Sequence, residues 1–241
     1  MINLWNTLLY QPLSQFLIFI YRLVGNFGIS ILIFTAIIRL ILVPITAPAL
    51  KSAKKMQDLK PHLDKLKEVH GKDKTRLQQE QLKLYKEHGV NPAAGCLPYL
   101  VQFLVLIALY QVFIFFLTNS KIDNVPVDMN FLWLNLAKPD KLYILPVIAG
   151  ITQLILSLMM MPKGALEKNK QITVKGEKKE EDMATSMNKQ MMIVMPIMTV
   201  FIGISLPSGL ALYWIATTVF SIIQQYFTTG LGALEKYLPK K

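Results

Sequence analysis

Long apolar segments alternate with charged ones along the chain, and this alternation is its main structural signal. Five of the apolar segments carry almost no charge, and each is close to the ~20 residues that an α-helix needs to cross the hydrocarbon core of a bilayer. They are residues 26–50, 93–117, 143–162, 190–206 and 210–230. The pattern therefore predicts an all-α, polytopic membrane protein with five transmembrane helices.

The composition excludes most other classes of protein. Of the 241 residues, 53% are hydrophobic and only 17% are charged, whereas soluble domains have about 45–50% apolar and about 25% charged residues. A disordered chain would be poor in apolar residues. The formal net charge is nevertheless +11, because 26 Lys and Arg oppose 15 Asp and Glu. Such an apolar, basic chain is typical of a membrane protein.

The distribution of Lys and Arg predicts the orientation of the helices, because short cytoplasmic loops carry an excess of both residues. Residues 51–89 contain eleven Lys and Arg against six acids, residues 163–189 contain seven against five, and the tail 231–241 contains three against one. Residues 118–142 contain three residues of each sign. We therefore expect 118–142 to be extracellular, the 163–189 loop and the C-terminus to be cytoplasmic, and the N-terminus to be outside.

The first 25 residues do not fit the pattern of the five spans. Leu8–Val24 is apolar, but Pro12 interrupts it, and its polar positions fall on one side of a helical wheel. These positions are Gln11, Gln15 and Arg22. We expect residues 1–25 to form an amphipathic helix in the outer interface, and a sixth span is the alternative. The N-terminus has no basic region followed by a cleavage site, so we expect no removable signal peptide.

Residues 51–92 are predicted to form a cytoplasmic helical hairpin. Their apolar residues recur at helical spacing on both sides of a turn at His70–Asp73. The residues are Met56, Leu59, Leu63 and Leu66 before the turn, and Leu77, Leu84 and Tyr85 after it. Two interpretations remain open at this point. The hairpin is either a solvated pair of helices or a basic arm that contacts anionic headgroups, a ribosome or an emerging polypeptide.

Arg39 is the most informative single residue, because it lies well inside the first apolar segment. An arginine near the centre of a bilayer costs about 2.5–3.5 kcal/mol even on the scale derived from insertion experiments. Its side chain either extends to the inner interface or lies in a hydrated cavity among the helices. The five segments contain no Asp or Glu, so the sequence offers Arg39 no carboxylate partner within the membrane.

Polar residues on other spans are candidates for lining such a cavity. Besides Arg39, the predicted groove residues are Thr35, Gln102, Gln153, Trp214, Thr218 and Ser221, and the fifth segment adds Thr217, Gln224 and Gln225. Any one of them is as easily explained as a hydrogen-bonding contact between helices. Together with Arg39 they indicate a polar groove inside the membrane.

The sequence has none of the motifs of nucleotide-driven or hydrolytic chemistry. It contains no GxxxxGK[ST] loop, no HExxH and no nucleophile elbow. Cys96 is the single cysteine, and His62, His70 and His88 lack the spacing of a metal site. We therefore expect no enzymatic activity, no cofactor and no metal. Among the charged residues of 51–89 the one aromatic residue is Tyr85, which argues against specific nucleic-acid recognition.

Three other functions compete at this stage. An inert assembly scaffold is the simplest of them, but it gives no reason for an arginine inside the first span. In a transporter or channel, Arg39 would bind an anion, but the two halves of the sequence show no internal repeat. A membrane hydrolase would need paired carboxylates or a nucleophile with its base, and the spans contain neither.

Between residues 28 and 227 the chain contains six short motifs: Arg39 with Pro44, Asn91–Pro98, Gln102 with Ala108–Tyr110, Ile144–Pro146, Pro207–Trp214 and Ile222–Gln225. These motifs resemble those of the YidC/Oxa/Alb family of membrane protein insertases, and they occur in the order in which the family has them. The large outer domain of Gram-negative members has no counterpart here, so the chain is more similar to the short form typical of Gram-positive bacteria.

The resemblance implies a membrane protein insertase and chaperone in the bacterial cell membrane, which inserts nascent membrane proteins through a hydrated groove without nucleotide hydrolysis. In that family the arginine that matches Arg39 lies in the groove, and the hairpin that matches 51–92 is needed for activity. The implied partners are nascent membrane proteins and the lipid bilayer, with the Sec translocon and the ribosome as further candidates. We expect the protein to act as a monomer.

Overall fold

The computed structural model describes residues 2–71, 73–90, 97–119, 121–122, 125–161 and 193–237, and most of these residues are helical. The chain divides into two compact units. The first consists of residues Met1–Leu42, Val101–Ser157 and Glu180–Ile223, and the second of Val43–Leu100, Leu158–Lys179 and Gln224–Lys241. The predicted 163–189 loop, the Asn91–Cys96 part of a family motif and the last four residues lie outside the described residues.

Each of the five apolar segments contains a helix in its described part, and further helices lie in the N-terminal segment and in the charged segment 51–92. In chain order they are α1 (Ile2–Trp5), α2 (Gln11–Val24), α3 (Phe27–Asp58), α4 (Lys60–His70), α5 (Lys74–Glu87), α6 (Leu97–Asn119), α7 (Ile144–Met159), α8 (Met195–Ser205) and α9 (Ser208–Thr229). A turn of π-helix, Asn6–Tyr10, connects α1 to α2, and a 3₁₀-helix, Gly232–Tyr237, follows α9.

The N-terminal segment is helical and amphipathic. Pro12 lies in the first turn of α2, directly after the π-helical turn Asn6–Tyr10, so the helical path continues through it. Leu17 and Ile20 are buried, whereas the three polar residues predicted to share a face are exposed. At the other end, Gly25 adopts a left-handed conformation and its N–H donates to the Tyr21 carbonyl over 2.7 Å.

Helix α3 continues eight residues beyond the predicted end of the first span at residue 50. Lys, Ser and Ala after Leu50 are compatible with a helix, and a change from apolar to charged side chains does not by itself end the backbone hydrogen bonding. Lys54 and Asp58, one turn apart, form an ion pair of 3.0 Å. The sequence predicts one helix through Met56, Leu59 and Leu63. The structure divides it at Leu59, because α3 ends at Asp58 and α4 begins at Lys60 with Pro61 in its first turn.

Helices α4 and α5 belong to the second unit and contact each other. Asp73 caps α5 by accepting a hydrogen bond of 3.0 Å from the backbone N–H of Arg76. The rings of His62, near the start of α4, and His88, just after α5, have their centroids 6.2 Å apart. The end of α5 therefore lies beside the beginning of α4.

Two short antiparallel ribbons lie in the predicted extracellular connection, and the sequence pattern did not predict them. Strand β1 (Lys121–Ile122) pairs with β2 (Val125–Pro126), and β3 (Asn130–Phe131) pairs with β4 (Leu134–Asn135). Two-residue strands are too short to show the alternation by which strands are recognised. The class all-α therefore holds for the bulk of the described chain but not for this connection.

Glycines allow close helix contacts within the first unit. A Cβ atom on Gly150 of α7 would lie 2.4 Å from the Val200 side chain of α8, and one on Gly203 of α8 would lie 3.3 Å from Pro146 of α7. Small residues let two helix backbones approach closely. The aromatic core of this unit includes Phe27, whose ring contacts that of Phe113 edge-to-face.

Two of the described helices have the length of membrane spans, and large apolar side chains are exposed on the apolar helices. Phe27–Asp58 and Ser208–Thr229 are individually long and apolar enough to cross a bilayer, and Gln102–Phe115, Ile144–Met159 and Met195–Ser205 are shorter apolar helices. Large apolar side chains face outward along them, such as Phe201, which is 75% exposed. Contiguous apolar surface of this kind is suited to lipid.

Candidate functional site

Arg39 and Gln102 contact each other in the first unit. The Arg39 guanidinium on α3 donates a hydrogen bond from Nη2 to Oε1 of Gln102 on α6. The side-chain amide of Gln102 in turn donates from Nε2 to the Tyr213 hydroxyl of α9 over 3.1 Å. These three side chains link three helices, and we refer to them as the Arg39–Gln102–Tyr213 chain.

The apolar helices α6 to α9 offer the positive charge of Arg39 no carboxylate partner. Neither α6, α7, α8 nor α9 contains an Asp or Glu. Gln102 is a neutral acceptor, and one amide oxygen satisfies only part of a guanidinium with five N–H donors. Because Arg39 is half-buried, its remaining donors can bind water or an anionic group that approaches it.

Three of the predicted hydroxyl residues are hydrogen-bonded within their own helices. The hydroxyl of Thr35 donates to the Ile31 carbonyl over 2.6 Å. The hydroxyls of Thr218 and Ser221 each donate over 2.9 Å to the carbonyl four residues earlier in α9. This pattern is usual for hydroxyl residues within helices. Each hydroxyl has thus used its proton but keeps lone pairs that can accept a hydrogen bond.

Gln153 of α7 and Trp214 of α9 are half-buried. Within the described part of the chain, neither of their side chains takes part in the Arg39–Gln102–Tyr213 chain. The structure therefore brings Arg39 and Gln102 together. Among the described residues, no hydrogen bond to Arg39 is made by the other predicted groove residues of the same unit, which are Thr35, Gln153, Trp214, Thr217, Thr218 and Ser221. Gln224 and Gln225 belong to the other unit. The role of these residues in a groove stays a prediction.

Tyr213 is the residue that the sequence analysis missed. It is 2% exposed, and its neighbour Trp214 was chosen instead. Adjacent residues of a helix point about 100° apart, so the choice between them depends on how α9 is rotated. A signal was available in the sequence, since both residues belong to the Pro207–Trp214 motif, but it did not distinguish them.

A second polar contact lies in the other unit. The Gln224 side chain donates from Nε2 to the Thr46 hydroxyl over 2.7 Å, and both residues are buried. Gln225 is also buried, and its Oε1 has no hydrogen-bond partner among the described residues. Buried amides of this kind hold helices together, and no ionisable group is involved in this contact.

The described residues contain no group of three or more His, Cys, Asp or Glu side chains that could hold a metal ion. The Arg39 guanidinium, the Gln102 amide and the Tyr213 hydroxyl offer hydrogen bonds, and the guanidinium adds a positive charge. Such a site can bind and orient a polar or anionic group.

Comparisons with known proteins agree on one family. The family model described as 60Kd inner membrane protein matches residues 19–233. The chain is 40% identical over 232 residues to a membrane protein insertase YidC of Fusobacterium nucleatum, covering 93% of this chain and 98% of the relative. It is 33% identical over 244 residues to the membrane protein insertase MisCA of Bacillus subtilis, covering 99% of this chain and 84% of the relative.

A solved structure is similar as well. It is described as an active YidC insertase crystal structure with the first transmembrane domain resolved, and it matches with a TM-score of 0.61 and 26% sequence identity over 93% of this chain. The match covers 47% of that structure's chain, so this protein spans about half of its length.

Proposed function

Because this chain belongs to the 60Kd inner membrane protein family, and is a membrane protein insertase of the bacterial cell membrane, we propose that it moves its substrates through a polar groove centred on Arg39. The observation that carries this proposal is the Arg39–Gln102–Tyr213 chain. It holds a cation beside α6 and α9, which contain no acidic residue.

The physical problem of insertion is the transfer of a polar flank across ~30 Å of hydrocarbon while the adjoining apolar segment enters lipid. Water around Arg39 would shorten the dry part of this path, and the unneutralised charge would attract acidic residues of the flank. The apolar segment can then leave along the exposed apolar faces of the helices. Burial of that segment stabilises the product by roughly 25 cal/mol per Å², so the step proceeds without nucleotide hydrolysis or cofactor.

The topology that fits this mechanism has five spans, 26–50, 93–117, 143–162, 190–206 and 210–230. The N-terminus lies outside with its interfacial helix, and the C-terminus is cytoplasmic. The hairpin 51–92 then faces the cytoplasm, where nascent chains arrive. The excess of Lys and Arg in 51–89 supports this orientation.

The partners that follow are nascent membrane proteins and the lipid bilayer. The basic hairpin also suits contact with anionic headgroups, and the ribosome and the Sec translocon are further partners that we propose. The Arg39–Gln102–Tyr213 chain is complete within one copy, which supports action as a monomer. The role that we propose is non-enzymatic.

The test is insertion by the purified chain in liposomes. Single-span clients are translated outside the liposomes, and protection of the client flank from protease is measured without ATP. Clients with and without acidic residues in the flank are compared for the wild type, Arg39→Lys and Arg39→Ala. Arg22→Ala is the matched control, because Arg22 is an exposed arginine of α2.

We expect protection with the wild type, a loss with Arg39→Ala that is greatest for acidic flanks, and partial retention with Arg39→Lys. Equal effects of both substitutions on every client would contradict the electrostatic part of the mechanism. The absence of protection for several clients with the wild type would contradict insertion by the chain alone.

A further inference from the structure

The turn between β3 and β4 exposes two large apolar side chains. Leu132 is 75% exposed and Trp133 is 52% exposed. Leu132 also has a φ of 55°, in the left-handed region where glycine or asparagine is the usual residue. A leucine is thus disfavoured at this position both by its backbone conformation and by its exposure to water.

This turn belongs to a ribbon that is fixed to the ends of two apolar helices in the same unit. The Asn26 side chain, just before α3, donates to the Asn130 carbonyl of β3 over 3.1 Å. The Ser208 hydroxyl, at the start of α9, donates to the Lys138 carbonyl over 2.6 Å. These bonds connect the ribbon to the start of α3, and the residues that follow the ribbon to the start of α9.

A second pair of exposed apolar side chains directly precedes α7. Leu142 is 62% exposed and Tyr143 is 54% exposed, and Tyr143 has a φ of 57°. The buried carboxylate of Asp140 holds this turn, because it accepts backbone hydrogen bonds from Leu142 at 3.0 Å and from Leu145 at 2.8 Å. The four exposed residues thus occupy two constrained turns next to the first residues of apolar helices.

We infer that Leu132, Trp133, Leu142 and Tyr143 insert into the headgroup region of the outer lipid leaflet and fix the depth of the protein in the membrane. None of the four is charged. Trp and Tyr favour the level of the headgroups, where their rings meet lipid and their polar atoms meet water. The inference rests on the proposed membrane topology and commits to lipid as the occupant.

The test places a nitroxide label at these turns. Cys96 is replaced by Ser, because it is the single cysteine, and a new cysteine is introduced by Trp133→Cys or Leu142→Cys. The purified protein is reconstituted into liposomes without any partner protein. Collision of the label with oxygen, which partitions into lipid, is compared with collision with a water-soluble nickel chelate.

Two positions of the same unit calibrate the measurement. Lys138→Cys reports on an exposed polar residue of the same connection, and Phe201→Cys reports on an exposed apolar residue within α8. We expect collision with nickel to be several-fold lower at 133 and 142 than at 138, and higher than at 201. The two labels lie on different turns. If one labelled variant fails to fold, the other variant still tests the inference.

Nickel accessibility at 133 and 142 equal to that at 138 would overturn the inference, because the turns would then lie in water. Protection from both nickel and oxygen would also overturn it, since another protein copy would then cover the turns. Client insertion by the wild type is measured in the same liposomes. Its failure would contradict the proposed function and leave the depth measurement valid.

Discussion

The side-chain amide of Gln102 donates to the hydroxyl of Tyr213 over 3.1 Å, and this bond determines what Gln102 presents to α3. An amide that directs its nitrogen toward Tyr213 directs its oxygen elsewhere, and the oxygen accepts from Arg39. The arginine side chain has hydrogen-bond donors only. Arg39 therefore needs the Gln102 amide in this orientation, with the oxygen toward α3.

Replacement of Gln102 by Glu should abolish any preference for acidic client flanks. Glutamate has nearly the same shape and would place a carboxylate against the Arg39 guanidinium, so the positive charge would be neutralised without loss of packing. We expect insertion of clients with acidic flanks to fall to the level of Arg39→Ala, and insertion of neutral clients to change little. Protease protection in liposomes measures both. Gln102→Leu is the control, because it removes the acceptor without adding a charge. We expect this variant to keep the preference for clients with acidic flanks.

The Tyr213→Phe substitution should lower stability more than its small change in size suggests. It removes the acceptor of the Gln102 amide inside a buried region, and a net hydrogen bond contributes about 0.5–1.5 kcal/mol. We expect a decrease of that order in the free energy of unfolding, measured by denaturant titration in detergent micelles. Tyr226→Phe is the matched control, because Tyr226 is exposed; equal effects at both positions would show that the contact adds no stability.

Asp140→Ala should destabilise the protein by about 1–2 kcal/mol, which is the usual cost of losing a carboxylate that caps backbone N–H groups. Asp140 is 5% exposed and accepts hydrogen bonds from two of them. Asp128 accepts a single bond, from the Asn130 N–H, and is exposed, so Asp128→Ala should change stability by less than about 0.5 kcal/mol. Thermal unfolding of both variants tests the difference, and a larger effect at Asp128 would refute it.

Gly209→Ala should be costly because the site has no room for a methyl group. A Cβ atom at this position would lie 2.3 Å from the Phe113 ring, which is fully buried. Overpacking of this kind costs roughly 1–3 kcal/mol. At Gly203 the nearest atom would be 3.3 Å away, so Gly203→Ala is the milder control. Equal melting temperatures for the two variants would show that the close contact with Phe113 does not cause a loss of stability.

The sequence predicted most of the helices because apolar spans leave a strong periodic and compositional signal. Arg39 and Gln102 were also selected from the sequence, since a charge or an amide within an apolar segment stands out from its neighbours. Tyr213 was not selected, because a tyrosine beside a tryptophan is unremarkable in one dimension and only the rotation of α9 distinguishes them.

The outer connection was the least predictable part. Strands β3 and β4 have two residues each, and the bonds that fix their ribbon join residues far apart in sequence, such as Asn26 and Asn130. The continuation of α3 to Asp58 was missed for a different reason. A charge pattern predicts where the membrane ends, and a helix can extend beyond that boundary.

The Arg39–Gln102–Tyr213 chain also has a consequence for the order in which the protein is made. Arg39 and Gln102 are 63 residues apart, whereas Gln102 and Tyr213 are 111 residues apart. Because synthesis proceeds from the N-terminus, Arg39 can find Gln102 while α9 has yet to leave the ribosome. Contacts of high sequence separation form late. Until the last helix arrives, the Tyr213 hydroxyl cannot hold the Gln102 amide with its oxygen toward Arg39. The unfinished insertase is itself a membrane protein, and it would benefit from a finished copy of an insertase.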